Sequence, residues 1–123
     1  MEKKFNYVTK TDVKFDHLQR IDIPQMVKEC TDPWFNQTLT KVNDSVVRLG
    51  IVEGEYHWHK HTNDDEFFFV VEGQLFIDLE DSTIELLPMQ GVTISKGIMH
   101  RPRAPKKTVM LMVETSVIQP TGD

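Results

Sequence analysis

The run Phe67-Phe68-Phe69-Val70-Val71 restricts the possible folds more than any other stretch of this chain. It is too short for a stable helix, and its aromatic and β-branched residues favour a strand. Alternate side chains of a strand point to opposite faces, so a run that is apolar at every position must be covered on both sides. The chain therefore needs one packed layer inside this strand and another outside it.

The segments around it read as further short strands. Residues 37–42 and 46–52 flank a turn at Asn43-Asp44, Gly54 is expected to break the second run, and residues 56–61 to resume it. After Gly73, residues 75–80 alternate apolar and polar positions, and turns at Asp81-Ser82 and Pro88-Met89-Gln90-Gly91 set off strands over 83–87 and 92–95. The last strand is expected over 108–114, whereas Pro102 and Pro105 should keep the segment around His100 out of a central strand. One short helix is expected over 22–30, with Asp22 as its N-cap and Pro24 in its first turn. Many short strands, frequent turn signals and no repeating helix predict an all-β fold, a sandwich or a barrel.

Length and composition narrow the class of protein. A chain of 123 residues with 39% hydrophobic and 27% charged content fits one globular domain, 1–123, able to build a core without disulfides. The single cysteine, Cys30, cannot form an internal bridge, which suits a reducing compartment. A net charge of -5, with Lys and Arg clustered no further than pairs such as Lys106-Lys107, argues against nucleic acid as a partner. No apolar run is long enough to span a bilayer, so no membrane partner is expected, and the basic start of the chain lacks the apolar stretch of a signal peptide. A cytoplasmic protein is the resulting expectation.

The chemistry concentrates in a few histidines. On a strand, His59 and His61 project from one face with Lys60 turned away, which makes a chelating pair. A nearby carboxylate and a third imidazole, His100, would complete a mixed nitrogen and oxygen set suited to a divalent transition metal such as Fe, Mn, Ni or Zn. Glu66 is the favoured carboxylate because the apolar run starts there, while Asp64 and Asp65 remain alternatives on the adjoining loop. His57 shares the parity of the pair and is the candidate acid or base, with a rim histidine as the plainer role. Trp58 reads as packing between sheets, and Arg101 as a surface side chain that could instead meet a substrate anion.

These residues carry a resemblance. Gly54 followed by His59-Lys60-His61, Glu66 and Gly73 resembles the first conserved motif of the cupins, and Gly91 through Gly97 to His100 resembles the second. The likeness spans about 46–115 and leaves an N-terminal extension, 1–36, outside it. The stretch His100-Arg101-Pro102 and the segment Pro120-Thr121-Gly122-Asp123 are similar to a group of small single-domain cupins related to mannose-6-phosphate isomerase. The resemblance implies a cupin-type double-stranded β-helix, a jelly-roll barrel with a short N-terminal helix, and a metal held by His59, His61, Glu66 and His100. It also implies a homodimer, in which a second copy rather than the N-terminal extension could cover the outer face of Phe67, Phe69 and Val71. Three functions follow as expectations: a metal-dependent oxygenase, isomerase or lyase acting on a small polar molecule; a non-catalytic small-molecule or metal-binding sensor module; or a barrel whose metal is purely structural.

Overall fold

The computed structural model describes residues 7–123. The first six residues, which belong to the expected extension and to the basic start of the chain, lie outside the described part. The elements are β1 (Val8–Lys10), α1 (Ile23–Glu29), β2 (Trp34–Val42), β3 (Ser45–Glu55), β4 (Glu66–Glu72), β5 (Leu75–Asp78), β6 (Thr83–Leu86), β7 (Gly91–Ile94) and β8 (Arg101–Thr115). They form the expected all-β jelly roll. Among the described residues no helix is long and apolar enough to cross a membrane.

β8 holds the fold together. One of its edges pairs antiparallel with β3, from Ser45 opposite Thr115 to Glu55 opposite Arg103. Its other edge is shared: Arg101 to Arg103 pair with β5, and Val109 to Val113 pair with β4. β4 carries β7 on its far side, β5 carries β6, and β2 and β1 extend the sheet beyond β3. β1 pairs parallel to β2 and comes from the extension, where no strand was expected.

Two apolar clusters follow from strand alternation. The inner one contains Trp34, Val52, Tyr56, Phe68, Val70, Leu75, Ile77, Met110 and Met112. The outer one contains Leu39, Leu49, Ile51 and Val109 under Met26 of α1, with Phe15, Ile21 and Val71 against it. Fully burying each such large side chain contributes about 1.5–3 kcal/mol. α1 forms as its sequence directs, because the Asp22 Oδ1 accepts from the Gln25 amide at 3.0 Å and Pro24 occupies the first turn. Phe67, Phe69 and Val71 on the outer face of β4 are all half-buried; Val71 packs against the cluster that the extension covers, and the rings of Phe67 and Phe69 lie with centroids 6.4 Å apart.

Four local expectations are corrected. Gly54 does not end its strand; at φ +113° it takes part in a bulge between Val52 and Gly54 and still pairs with Ala104. Residues 56–61 do not resume a strand, and the backbone of the segment is held by the Tyr56 amide donating to the Pro102 carbonyl of β8 at 2.9 Å and by an isolated bridge between His59 and His100, just before β8. Pro102 and Pro105 lie inside β8. Pro102 accepts at its carbonyl, so only its missing donation is lost, and Pro105 lies among exposed residues where Ala104 and Thr108 pair with Gly54 and Val52, leaving 105–107 bulged out of the ladder. Trp58 is not packed between sheets; it is 43% exposed, with the Arg101 guanidinium 5.2 Å from its ring centroid.

Candidate metal centre

The two histidine segments are fastened to each other before any ligand is considered. His59 and His100 exchange backbone hydrogen bonds of 3.0 and 2.8 Å, and the Gly97 amide donates to the His61 carbonyl at 2.8 Å. Glu66 opens β4 on the inner face, opposite Ile94 of β7. All four side chains are buried, and one ligand atom from each lies within 4.8 Å of the others. His61 Nε2 is 3.5 Å and His100 Nε2 is 3.4 Å from Glu66 Oε1.

Hydrogen bonding sets the state of the rings. His59 Nδ1 lies 3.0 Å from the His57 carbonyl, and His100 Nδ1 lies 2.9 Å from the Ile98 carbonyl. A carbonyl only accepts, so each Nδ1 must carry the proton and donate it, which leaves Nε2 as a lone pair in the neutral ring. His61 Nδ1 donates likewise to Asp123 Oδ1 at 2.9 Å. Outer partners of this kind fix the orientation of metal-ligating imidazoles.

The inward-facing atoms lack such partners. His61 Nε2, His100 Nε2 and Glu66 Oε1 are buried without a hydrogen bond. Buried polar groups are ordinarily satisfied, and a group left without a partner costs about 1–3 kcal/mol. Neutral imidazole nitrogens and a carboxylate, pre-oriented and converging, fit a divalent transition metal.

Electrostatics favour that fit at His59 and Glu66, while at His61 the two neighbouring carboxylates favour the protonated ring that a metal would have to displace. Burial and the nearby His100 lower the His59 pKa to about 4, which keeps the ring neutral. Burial also acts to lower His61, but Glu66 and Asp123 outweigh it and raise the value. For Glu66, burial acts upward, yet His100 and His61 hold the carboxyl well below its usual range, so it is ionised.

A second set of buried polar groups adjoins the site and was not anticipated from the sequence. Arg48 Nε lies 3.2 Å from Glu114 Oε1 and donates to Asn36 Oδ1 at 3.1 Å. Burial and the negative charge of Glu66 push Glu114 up to about 10. The signal was present: Arg48 interrupts an apolar run, and Glu114 continues the inner parity of Met110 and Met112. Tyr56 was also passed over, because strand parity fails where residues 56–61 leave the sheet. It is buried, and together with His59, Glu66, Asn36, Phe68, Met110, Met112 and Pro120 it lines a cavity of about 20 Å³.

The remaining candidates separate from the four. Asp65 turns to the Lys96 amide, accepting at 2.9 Å, and neither it nor Asp64 belongs to the cluster. His57 stacks on Tyr56 with centroids 4.5 Å apart, and its Nε2 donates to the Thr121 carbonyl at 2.7 Å. Arg101 points to Asp78, with Nη2 at 2.9 Å from Oδ2.

Comparison with known proteins bears on the same residues. Residues 46–116 match the cupin domain family. The chain is 41% identical over 90 residues to the uncharacterized protein YdbB of Bacillus subtilis, an alignment that covers 72% of this chain and 80% of that protein. The crystal structure of a cupin-2 domain containing protein from Shewanella frigidimarina superposes with a TM-score of 0.73 at 32% identity, covering 77% of this chain and 93% of the other. Protein NMB1881 from Neisseria meningitidis is similar in fold, with a TM-score of 0.71 at 22% identity over 79% of this chain and 99% of that one.

Proposed function

The chain belongs to the cupin domain family, and from that premise we propose that it holds a divalent transition metal through His59, His61, Glu66 and His100 and acts there on a small polar molecule. The observation that carries this reading is the convergence of buried nitrogen and oxygen atoms that make no hydrogen bond. When bound, the metal would supply Lewis-acid or redox chemistry at coordination positions that the four side chains leave open, whether it is Fe, Mn, Ni or Zn. The protein's part is to orient the imidazoles through the His57 and Ile98 carbonyls and to exclude water with Phe68, Met110 and Met112. His57, with its centroid 5.3 Å from that of His59, is the candidate acid or base of an oxygenase, isomerase or lyase reaction.

The size of the cavity favours a second reading, a module that binds metal or ligand without turnover. About 20 Å³ holds a single water, whereas small-molecule pockets run to roughly 300 Å³ or more. The two readings are separated by loading the protein with each metal and measuring oxygen uptake and product formation with small acids, sugars and phenols. Turnover supports the enzyme; stoichiometric ligand binding without product supports the module.

The same proposal treats residues 1–123 as one domain and as half of a homodimer. The half-buried Phe67 and Phe69, with Val113 38% exposed opposite Phe67, form the face that a second copy would cover. Sedimentation at micromolar concentration should give the dimer mass, and a monomer would remove the idea.

A further inference from the structure

We propose that residues 116–123 form a strap that closes the metal pocket, and that Asp123 ties the closure to the metal by holding His61. The proposal rests on the metal reading above. β8 ends at Thr115, and Ile118, buried to 4%, pins the chain as it turns back across the mouth of the barrel. Among the described residues, the hydrogen bonds that the strap makes beyond this anchor, apart from those within itself, fall on the segment carrying the histidines. Tyr56 Oη donates to the Pro120 carbonyl at 3.2 Å, His57 Nε2 to the Thr121 carbonyl, and the Asp123 amide to the Lys60 carbonyl at 3.0 Å. Within the strap, the Gln119 amide donates to Asp123 Oδ2 at 3.2 Å and the Gly122 amide to the Gln119 carbonyl at 2.9 Å.

The contact with the site is direct on two sides. Pro120 forms part of the wall of the cavity, so the strap contributes to its small volume. Asp123 Oδ1 accepts from His61 Nδ1 at 2.9 Å, which makes Asp123 a positioning residue: it fixes the ring whose Nε2 faces Glu66. Gly122 makes the close passage possible. It sits at φ +117°, and a Cβ at that position would come within 3.1 Å of the His59 Cβ.

The strap is also suited to opening. Apart from Ile118 it buries no apolar side chain, and Gln119, Thr121 and Asp123 are exposed. Segments with few buried apolar contacts open at low free energy. Lifting residues 119–123 removes the Pro120 wall and releases His57 Nε2, giving a small molecule a path to the site. Metal that fixes His61 in place also favours the ring that Asp123 binds, so occupancy and closure reinforce each other.

The test uses the full chain loaded with Co²⁺, whose visible absorption reports the ligand set, and follows cobalt release into excess EDTA and the rate of azide binding. Asp123→Ala should speed release about tenfold or more. Asp123→Asn, which keeps an oxygen acceptor, should fall between it and the parent. Gly122→Val, which alters neither a ligand nor the partner of His61, should speed both release and azide binding, with the circular dichroism of all three variants unchanged. Cobalt uptake by the parent with all rates in the variants within twofold of it would overturn the strap while leaving the metal site standing. A parent that takes up no cobalt would overturn the metal reading, and this coupling with it.

Discussion

Two polar clusters flank the start of β8, one outside the barrel and one inside, and they differ in how their hydrogen bonds are met and in how deeply they are buried. Outside, Asp78 is matched at both oxygens: Thr83 donates to Oδ1 at 2.9 Å, while Arg101 Nη2 and Arg103 Nε reach Oδ2 at 2.9 and 2.8 Å. Inside, one residue earlier in the chain, His100 Nε2 makes no hydrogen bond, and neither does His61 Nε2 or Glu66 Oε1, although both nitrogens lie within 3.5 Å of that oxygen. The outer cluster is complete as protein. The inner one is more deeply buried, where missing bonds cost most, and becomes complete only when an ion is added. Histidine and carboxylate content alone would not separate these two clusters, whereas the hydrogen bonds at Asp78 and their absence at the convergent atoms of His61, Glu66 and His100 do.

The comparison can be broken most severely at the ligands. His100→Ala or Glu66→Ala should lower metal affinity by more than the roughly 10–100-fold expected for losing an outer partner, with the β fold retained, as metal analysis and circular dichroism of the purified variants would show. Asp78→Asn should leave affinity within about twofold. If both classes of variant lost metal equally, the distinction between the clusters would fail.

Metal addition is the next effect in size. At a free concentration of 100 Kd it should stabilise the protein by about 2.7 kcal/mol, seen as a rise of several degrees in Tm that EDTA reverses. His100→Ala should show no such rise.

Protons probe the same cluster in the metal-free protein. The His59 pKa is lowered from 6.5 to about 4, so the unfolded chain binds the proton more tightly. Its contribution to stability is complete above pH 6.5 and is lost as pH falls toward 4, an effect on the order of 2 kcal/mol. His61 is shifted upward and works in the opposite sense, adding stability below pH 6.5. Glu114, pushed up to about 10, gains stability as pH falls and so opposes His59 in this window, and urea titrations should show stability rising more steeply with acid in His59→Gln than in the parent.

The smallest effect belongs to the outer cluster. The guanidinium of Arg103, with that of Arg101, lowers Asp78 from 3.8 to about 2. The stabilisation is present above pH 4 and disappears as pH falls toward 2. Asp78→Asn should therefore cost about 1 kcal/mol at neutral pH and nothing at pH 2, measured by the same titrations.

Much of this was legible in the residues because two periodicities are simple. The apolar run at 67–71 announced a doubly covered strand, and the spacing of His59 and His61 announced a chelating pair. The structure brings both histidines to Glu66 and His100, although residues 56–61 are not a strand as expected. What brings them there is a bridge between His59 and His100 that no local pattern encodes. The prolines misled for a related reason: whether a missing N–H matters depends on what lies opposite, and opposite Pro102 and Pro105 lie a strand end and a bulge. Arg48 and Glu114, and the contact of Asp123 with His61, could not be read from the sequence because their meaning is three-dimensional. Two of them face the barrel interior from separate strands, and the third reaches His61 from a distance of 62 residues along the chain.

The central claim is that the inner cluster, and not the outer, takes a metal. Anomalous diffraction from crystals grown with Mn²⁺ or Zn²⁺ tests it most directly. The account predicts one strong peak about 2.0–2.2 Å from nitrogens of His59, His61 and His100 and an oxygen of Glu66. No peak among these four residues, or a peak at Asp78 instead, would contradict it.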